Sequence, residues 1–117
     1  MTLPTELLAG RTAVITGASR GIGRAIAGLF AAHGASLVLC GRSDDLAAPE
    51  GMPDGRVRLV KGDAAEADVQ KELIRTAREA FGRLDILVNN AGVLTPGILG
   101  MNRTAPQPHS FVILPAP

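Results

Sequence analysis

The chain has 117 residues, of which 46% are hydrophobic, and its 12 basic and 11 acidic side chains leave a net charge of +1. That length is one domain at most, able to bury about two-thirds of its unfolded surface, and the composition is that of a soluble globular domain rather than a disordered chain. Scattered charges that nearly cancel offer no basic stripe for a nucleic acid, and a single cysteine, Cys40, excludes an internal disulfide framework.

Met1 to Gly10 lacks the basic cluster and apolar core of a signal peptide. With one unpaired cysteine, the expected compartment is the reducing cytoplasm. No formally charged residue occurs between Arg24 and Arg42, but His33-Gly34 interrupts the stretch. It also falls short of the roughly 20 apolar residues of a membrane span, so no membrane association is expected. A buried helix followed by a buried strand accounts for it better.

In chain order, Thr12 to Thr16 is a β-branched-rich run that predicts a strand ending at Gly17. A glycine-rich stretch follows, and then a helical pattern with Ile22, Ile26, Leu29, Phe30 and His33 on one face, stopped by Gly34. Ser36 to Cys40 is a second apolar run, closed by Gly41. Strand, glycine loop, helix and strand within about 30 residues make a βαβ unit.

Ser43 to Gly55, with Pro49 and Pro53, reads as a loop holding at most one helical turn near Asp45 to Ala48. Val57 to Lys61 predicts a third strand. Glu66 to Phe81 predicts a second helix, with Val69, Leu73, Ala77, Ala80 and Phe81 inward. Its acids Glu66 and Asp68 come early and its bases Arg75 and Arg78 late, as the helix dipole favours. Gly82 ends it, and Asp85 to Asn89 is a fourth strand.

Beyond Gly100 the character changes, because Pro106, Pro108, Pro115 and Pro117 forbid a long helix. The chain therefore divides into an α/β half-domain over 1–100 and an irregular tail over 101–117. Alternating strands and helices with right-handed crossovers predict an α/β, doubly wound parallel sheet of about four strands in the order 3-2-1-4. Stopping the sheet at the fourth strand would leave Ile86, Leu87 and Val88 on an open edge, which invites self-association. Ser110 to Leu114 is the candidate to fill that edge as a parallel strand.

Gly17, Gly21 and Gly23 lie between a strand end and a helix start. Glycines there permit a tight turn, close approach of backbone to a pyrophosphate and close helix–strand packing, while the helix start offers free N–H groups. No Gly-Lys-Ser/Thr follows, which excludes the Walker A loop.

Thr16-Gly17-Ala18-Ser19-Arg20-Gly21-Ile22-Gly23 resembles the cofactor motif of the short-chain dehydrogenase/reductase family, and Asn89-Asn90-Ala91-Gly92 resembles its second motif. Asp63, just after the third strand, is similar to the family's adenine-contacting aspartate. The resemblance runs from Leu8 to about Gly100 and implies a Rossmann-type fold that binds a dinucleotide. It also implies that Ser19, Arg20 and Ile22 line phosphates and ribose, that Asp63 and Ala64 flank the adenine, and that Asn90, Ala91 and Gly92 face the middle of the cofactor. A purely structural polar network tying the fourth strand to its neighbours is an equal reading of Asn89 and Asn90.

NAD-selective sites of this kind end the second strand in a carboxylate that accepts from the ribose 2′-OH, whereas NADP sites use arginine. Here the corresponding residue is Gly41, followed by Arg42, with Arg20 directed to the same place. Two guanidinium groups suit a 2′-phosphate, so NADP(H) is expected over NAD(H). Asp44 and Asp45 would weaken this, but they are expected to lie further into the loop.

The family's chemistry uses a serine, a Tyr-x-x-x-Lys pair and a further asparagine, the tyrosine acting as acid or base towards a carbonyl or alcohol. This sequence has no tyrosine and its last lysine is Lys71. Asn102 follows the second motif too closely to match the family's asparagine. No catalytic residue is therefore assigned, and His33, His109 and Cys40 have no partners spaced for metal binding or nucleophilic catalysis. The resemblance thus implies a family of NAD(P)-dependent oxidoreductases acting on CH–OH groups, with this chain expected to be truncated before the active site. The alternatives are a non-catalytic NADP(H)-binding module and an interaction partner of a complete family member.

Overall fold

A computed structural model describes residues 6–91 and, as backbone, the strand 110–113. In chain order the elements are β1 (Thr12–Ile15), α1 (Gly21–Ala32), β2 (Ser36–Gly41), a short 3-10 turn (Asp54–Arg56), β3 (Val57–Lys61), α2 (Ala67–Phe81), β4 (Ile86–Asn89) and β5 (Ser110–Ile113). They form one sheet in the order β3-β2-β1-β4-β5. The first four strands are parallel in the expected 3-2-1-4 arrangement, with Ala13 level with Leu37 on one side and Ile86 on the other.

Successive side chains on a strand point to opposite faces, which splits the core in two. Ala13, Ile15, Leu37, Leu39, Ile86 and Val88 pack on the α1 side, while Val14, Val38, Cys40 and Leu87 meet Leu73 and Ala77 of α2. Strands buried on both faces read as unbroken apolar runs, which is why β1, β2 and β4 are visible in the sequence. β3 is an edge strand, and its charged Arg58 and Lys61 discourage pairing with another chain. Arg58 also places its guanidinium 5.5 Å from the centre of the Phe81 ring.

The inward face of α1 differs from the expectation. Gly23 and Ala27 are its buried residues, with Ile26 and Phe30 partly buried, whereas Ile22 is 70% and Leu29 57% exposed. The helix approaches the sheet through its smallest residues, and this rotates the bulky Ile22 and Leu29 outward. α2 follows its pattern through Leu73, Ala77 and Phe81, and additionally buries Gln70, whose side-chain amide donates to the Ala64 carbonyl at 2.6 Å. Gly82 closes α2 in the left-handed region (φ 77°), its N–H donating to the Arg78 carbonyl.

The β2–β3 connection contains no helical turn at Asp45 to Ala48, only a turn closed by the Leu46 N–H on the Ser43 carbonyl at 3.2 Å. Its Leu46, Ala48 and Met52 pack on the α1-side core.

Ser110–Ile113 does fill the outer edge of β4, but antiparallel rather than parallel, with Asn89 opposite Ser110 and Ile86 opposite Ile113. An antiparallel return enters the sheet at the end where β4 leaves it and needs no crossover helix, which Pro106 and Pro108 would oppose. The open β4 edge expected to promote self-association is therefore occupied by this strand. Part of the tail expected to be irregular belongs to the sheet.

At the N-terminal end of the strands, Asp85 fastens β4 to β1. Its side chain is 4% exposed, and the carboxylate accepts from the Thr12 N–H at 2.9 Å and from Arg83 Nε and Nη2 at 2.7 Å each, and lies 3.5 Å from Arg11. Burial pushes this carboxyl up. Together the Arg83 hydrogen bonds, the Thr12 N–H and the two guanidinium charges hold it below the ordinary carboxylate value.

Candidate functional site

Because α1 and α2 cover opposite faces, the chain leaves β1 towards β2 and later returns from β3 to β4. The direction of winding therefore reverses between β1 and β4. Ligands of open α/β sheets bind in the crevice at such a switch point, beyond the carboxyl ends of the strands. Here that crevice is bounded by Thr16 to Arg20 after β1, Gly41 to Ser43 after β2, Gly62 to Ala65 after β3, and Asn90 and Ala91 after β4.

Two adjoining recesses open along it. One, of about 440 Å³, is lined by Gly17, Cys40, Gly41, Arg42, Gly62, Asp63, Ala64, Ala65 and Ala91. The other, of about 590 Å³, is lined by Gly17, Ser19, Arg20, Gly41, Arg42 and Ser43. Gly17, Gly41 and Arg42 belong to both. Residues from four separate stretches of sequence are thus collected around one cleft.

The glycine loop is held from beneath by β4 and β2. The Thr16 N–H donates to the Val88 carbonyl at 3.0 Å, and the Ala18 N–H to the Cys40 carbonyl at 2.9 Å. The Thr16 hydroxyl donates to Asn89 Oδ1 at 3.4 Å and accepts from the Ala91 N–H at 3.1 Å. Asn90 Nδ2 donates to the Gly17 carbonyl at 3.2 Å. Both asparagines therefore take part in a polar network between β4 and the loop.

Three features of the loop suit a bound anion. Gly17 has φ +62°, and a Cβ added at Gly23 would lie 2.1 Å from the Gly17 carbonyl oxygen, so loop and helix meet with no room for a side chain. The first turn of α1 has no side-chain cap from Arg20 and no acidic residue, so its N–H groups and the positive end of its dipole remain available. Finally, Ser19 is only 7% exposed and its hydroxyl has no hydrogen-bond partner. A buried, unpartnered hydroxyl beside a glycine cradle fits a phosphate-bearing ligand.

Most of the sequence-derived site residues converge here, but not all. Gly17, Ser19, Arg20, Arg42, Asp63, Ala64 and Ala91 line the recesses, and Asn90 supports the loop from below. Gly21 opens α1 with φ +63°, and Gly23 secures the packing. Ile22 faces solvent and lines neither recess. Gly92 lies outside the described residues.

Sequence reasoning missed Cys40, Ser43, Gly62 and Ala65 in the lining, and it misplaced one acid of the β2–β3 loop. Asp45 does not lie away from the site, since its Oδ2 is 3.8 Å from Arg20 Nη2. Asp44 pairs with Lys61 of β3, and Arg42 Nη1 stands 4.0 Å from Asp63 Oδ2. The end of β2 carries no carboxylate. A Cβ at Gly41 would sit 2.0 Å from Ser19 Oγ, so any side chain there would first displace that hydroxyl.

Among the described residues no group of His, Cys, Asp or Glu is arranged to hold a metal ion, and no helix is long and apolar enough to cross a membrane. Cys40 lies under the first recess. Its thiol is buried, donates to the Gly62 carbonyl at 3.6 Å, and is pushed up to about 11 by burial and by the nearby Asp63 charge.

Comparison with known proteins agrees with this geometry. The family model described as short chain dehydrogenase matches residues 11–108. The oxidoreductase UcpA of Salmonella typhimurium is 51% identical over 94 residues, which is 77% of this chain and 35% of that protein. Among solved structures, the apo glucose dehydrogenase of Caenorhabditis elegans superposes with a TM-score of 0.66 at 39% identity, over 72% of this chain and 38% of that one. A metagenomic short-chain oxidoreductase in complex with NADP gives 0.63 at 40% identity, over 74% and 41%. The chain therefore spans little more than a third of the length of these relatives. The family model covers most of the chain, and the chain belongs to the short chain dehydrogenase family.

Proposed function

We propose that this chain is the cofactor-binding part of an NADP(H)-dependent short-chain oxidoreductase, and that by itself it binds nucleotide without turning it over. When bound, the cofactor supplies a hydride donor or acceptor for a carbonyl or alcohol. The chain's own residues bind and orient. The N–H groups of the Gly17 to Gly23 loop and the start of α1 meet the pyrophosphate, and the Ser19 hydroxyl gains the partner it lacks within the protein. Asp63 and Ala64 border the adenine, and the Asn90–Gly17 bond keeps the loop in its shape.

The observation that carries the NADP(H) reading is the second recess. It has a glycine at the end of β2, where a carboxylate would repel a 2′-phosphate, and it has both Arg20 and Arg42 in its lining. The known complex of a 40%-identical relative with NADP supports the same reading. No tyrosine occurs in the sequence, so the family's Tyr-x-x-x-Lys pair is not supplied by these residues. A reducing compartment such as the cytoplasm suits the buried, unpaired Cys40.

The test is calorimetric titration of the wild-type chain and of Arg42→Asp with NADPH and NADH. The wild type should prefer NADPH. Arg42→Asp should lose NADPH affinity by about tenfold or more, since it removes a charge-assisted contact and adds a repulsion, while NADH binding changes little. Equal losses for both nucleotides would refute the assignment.

A further inference from the structure

Both arginines of the second recess face a carboxylate, and the two carboxylates are not equivalent. Asp63, opposite Arg42, is fixed by the turn before α2: its Oδ1 accepts the Ala65 N–H at 2.9 Å and its carbonyl accepts the Glu66 N–H at 2.9 Å. Asp45, opposite Arg20, is carried by the β2–β3 loop and has only a backbone anchor, its N–H donating to Ser43 Oγ at 3.1 Å. The adjacent Asp44 is drawn the other way, to Lys61, and this leaves Asp45 turned towards the glycine loop.

From this arrangement we infer that Asp45 is a specificity-determining residue: it competes with a ribose 2′-phosphate for Arg20 and so limits the preference for NADP(H) over NAD(H). The inference rests on the NADP(H) reading above. Arg20 and Asp45 are 75% and 68% exposed and 3.8 Å apart, so their pair is weak enough for a phosphate to displace. The carboxylate still remains beside the recess after displacement. Its negative charge opposes a phosphate dianion but not a neutral 2′-hydroxyl, which can donate to it. The recess therefore contains both attraction to the 2′-phosphate, from Arg20 and Arg42, and a built-in opponent of it.

The test uses the full chain and two probes that differ only in the group at issue, adenosine 2′,5′-bisphosphate and adenosine 5′-monophosphate. Both are titrated by calorimetry into wild type, Asp45→Asn, Arg20→Ala and the double variant, with circular dichroism confirming that each is folded. Asp45→Asn should tighten the bisphosphate by about two- to fivefold, the range of an exposed ion pair, and leave the monophosphate unchanged. The gain should shrink in the Arg20→Ala background, because competition for Arg20 is then absent and only the direct repulsion between the Asp45 carboxylate and the phosphate remains.

An unchanged ratio in Asp45→Asn, an equal gain for both probes, or a gain undiminished by Arg20→Ala would overturn the inference while leaving the NADP(H) reading intact. A wild type that does not favour the bisphosphate, combined with an Asp45→Asn variant that does, would overturn the NADP(H) reading and keep the inference. Failure of every protein to bind either probe would overturn both.

Discussion

Replacing Gly23 and Gly28 by alanine, five positions apart on α1, should change stability in opposite directions. At Gly28 an added Cβ meets no atom within 4 Å, so the gain is that of any helical Gly→Ala change, about 0.5–1 kcal/mol. At Gly23 the Cβ would lie 2.1 Å from the Gly17 carbonyl oxygen, 2.8 Å from the Gly17 carbonyl carbon and 2.8 Å from Asn90 Nδ2. A carbon normally keeps about 3.3 Å from a carbonyl oxygen, so loop and helix must separate by about 1 Å. Overpacking of this kind costs about 1–3 kcal/mol, and loss of the Asn90–Gly17 hydrogen bond adds about 1 kcal/mol. After the helix gain is subtracted, Gly23→Ala should destabilise by about 2 kcal/mol. In urea, with a slope of about 1.5 kcal/mol/M, the midpoint should fall by about 1.3 M, whereas Gly28→Ala should raise it by about 0.5 M. Nucleotide binding should be lost in the first variant and kept in the second. Equal midpoints for the two variants would show that the contact between loop and helix is not close in solution, and would refute a steric need for glycine at position 23.

Other predictions concern the two ends of the strands. Asp85→Asn should destabilise the fold by about 1.5–3 kcal/mol, because it removes the charged acceptor from Arg83 and Thr12. The Asp85 carboxyl is held low in the folded chain, so its contribution is complete above its unfolded value, about 3.9, and is lost as pH falls through the lower folded value. The urea midpoint of the wild type should therefore drop more steeply than that of Asp85→Asn between about pH 5 and pH 2.5, and parallel profiles would contradict the role. Cys40, pushed up to about 11, should resist thiol reagents at pH 8 in the native chain and react freely in urea. Its contribution is present below the unfolded thiol value and fades as pH rises towards 11, so stability should weaken in alkali. Rapid labelling of the native protein at pH 8 would argue against burial of this side chain.

Where side-chain period and burial agree, the fold could be read from the chain. β1, β2 and β4 are unbroken apolar runs because both of their faces are covered, and α2 shows its inward stripe because large residues form it. α1 was harder because it packs through Gly23 and Ala27, which leave no mark in a hydrophobic pattern, while the conspicuous Ile22 and Leu29 face outward. The pairing of Ser110–Ile113 with β4 could be anticipated from its composition, but not its direction, which depends on where the preceding segment re-enters the sheet.

Within the site, the glycines were legible because backbone geometry demands them between a strand end and a helix start, and the asparagines because Asn89-Asn90-Ala91-Gly92 resembles the second motif of the family. The pairing of Arg20 with Asp45 was not. It depends on how a loop without regular structure folds back, and that was decided here by the packing of Leu46, Ala48 and Met52 on the core and by the bond from Asp44 to Lys61. Charge alone could not show which of two adjacent acids would turn towards the recess.

The pairing of β1 with β4 has a consequence for when the site can exist at all. Thr12 and Asp85 are 73 positions apart, as are Thr16 and Asn89, and Gly17 and Asn90. A chain emerging from its N-terminus therefore makes the glycine loop long before the strand that supports it. Contacts so distant in sequence form late, because loop-closure entropy opposes them until neighbouring contacts are in place. The β1–α1–β2 unit can assemble earlier from local contacts, but with the Gly17 carbonyl and the Thr16 hydroxyl still lacking their partners. Completion of the central sheet and shaping of the nucleotide cleft are thus one kinetic event, so a bound nucleotide should slow unfolding rather than speed folding.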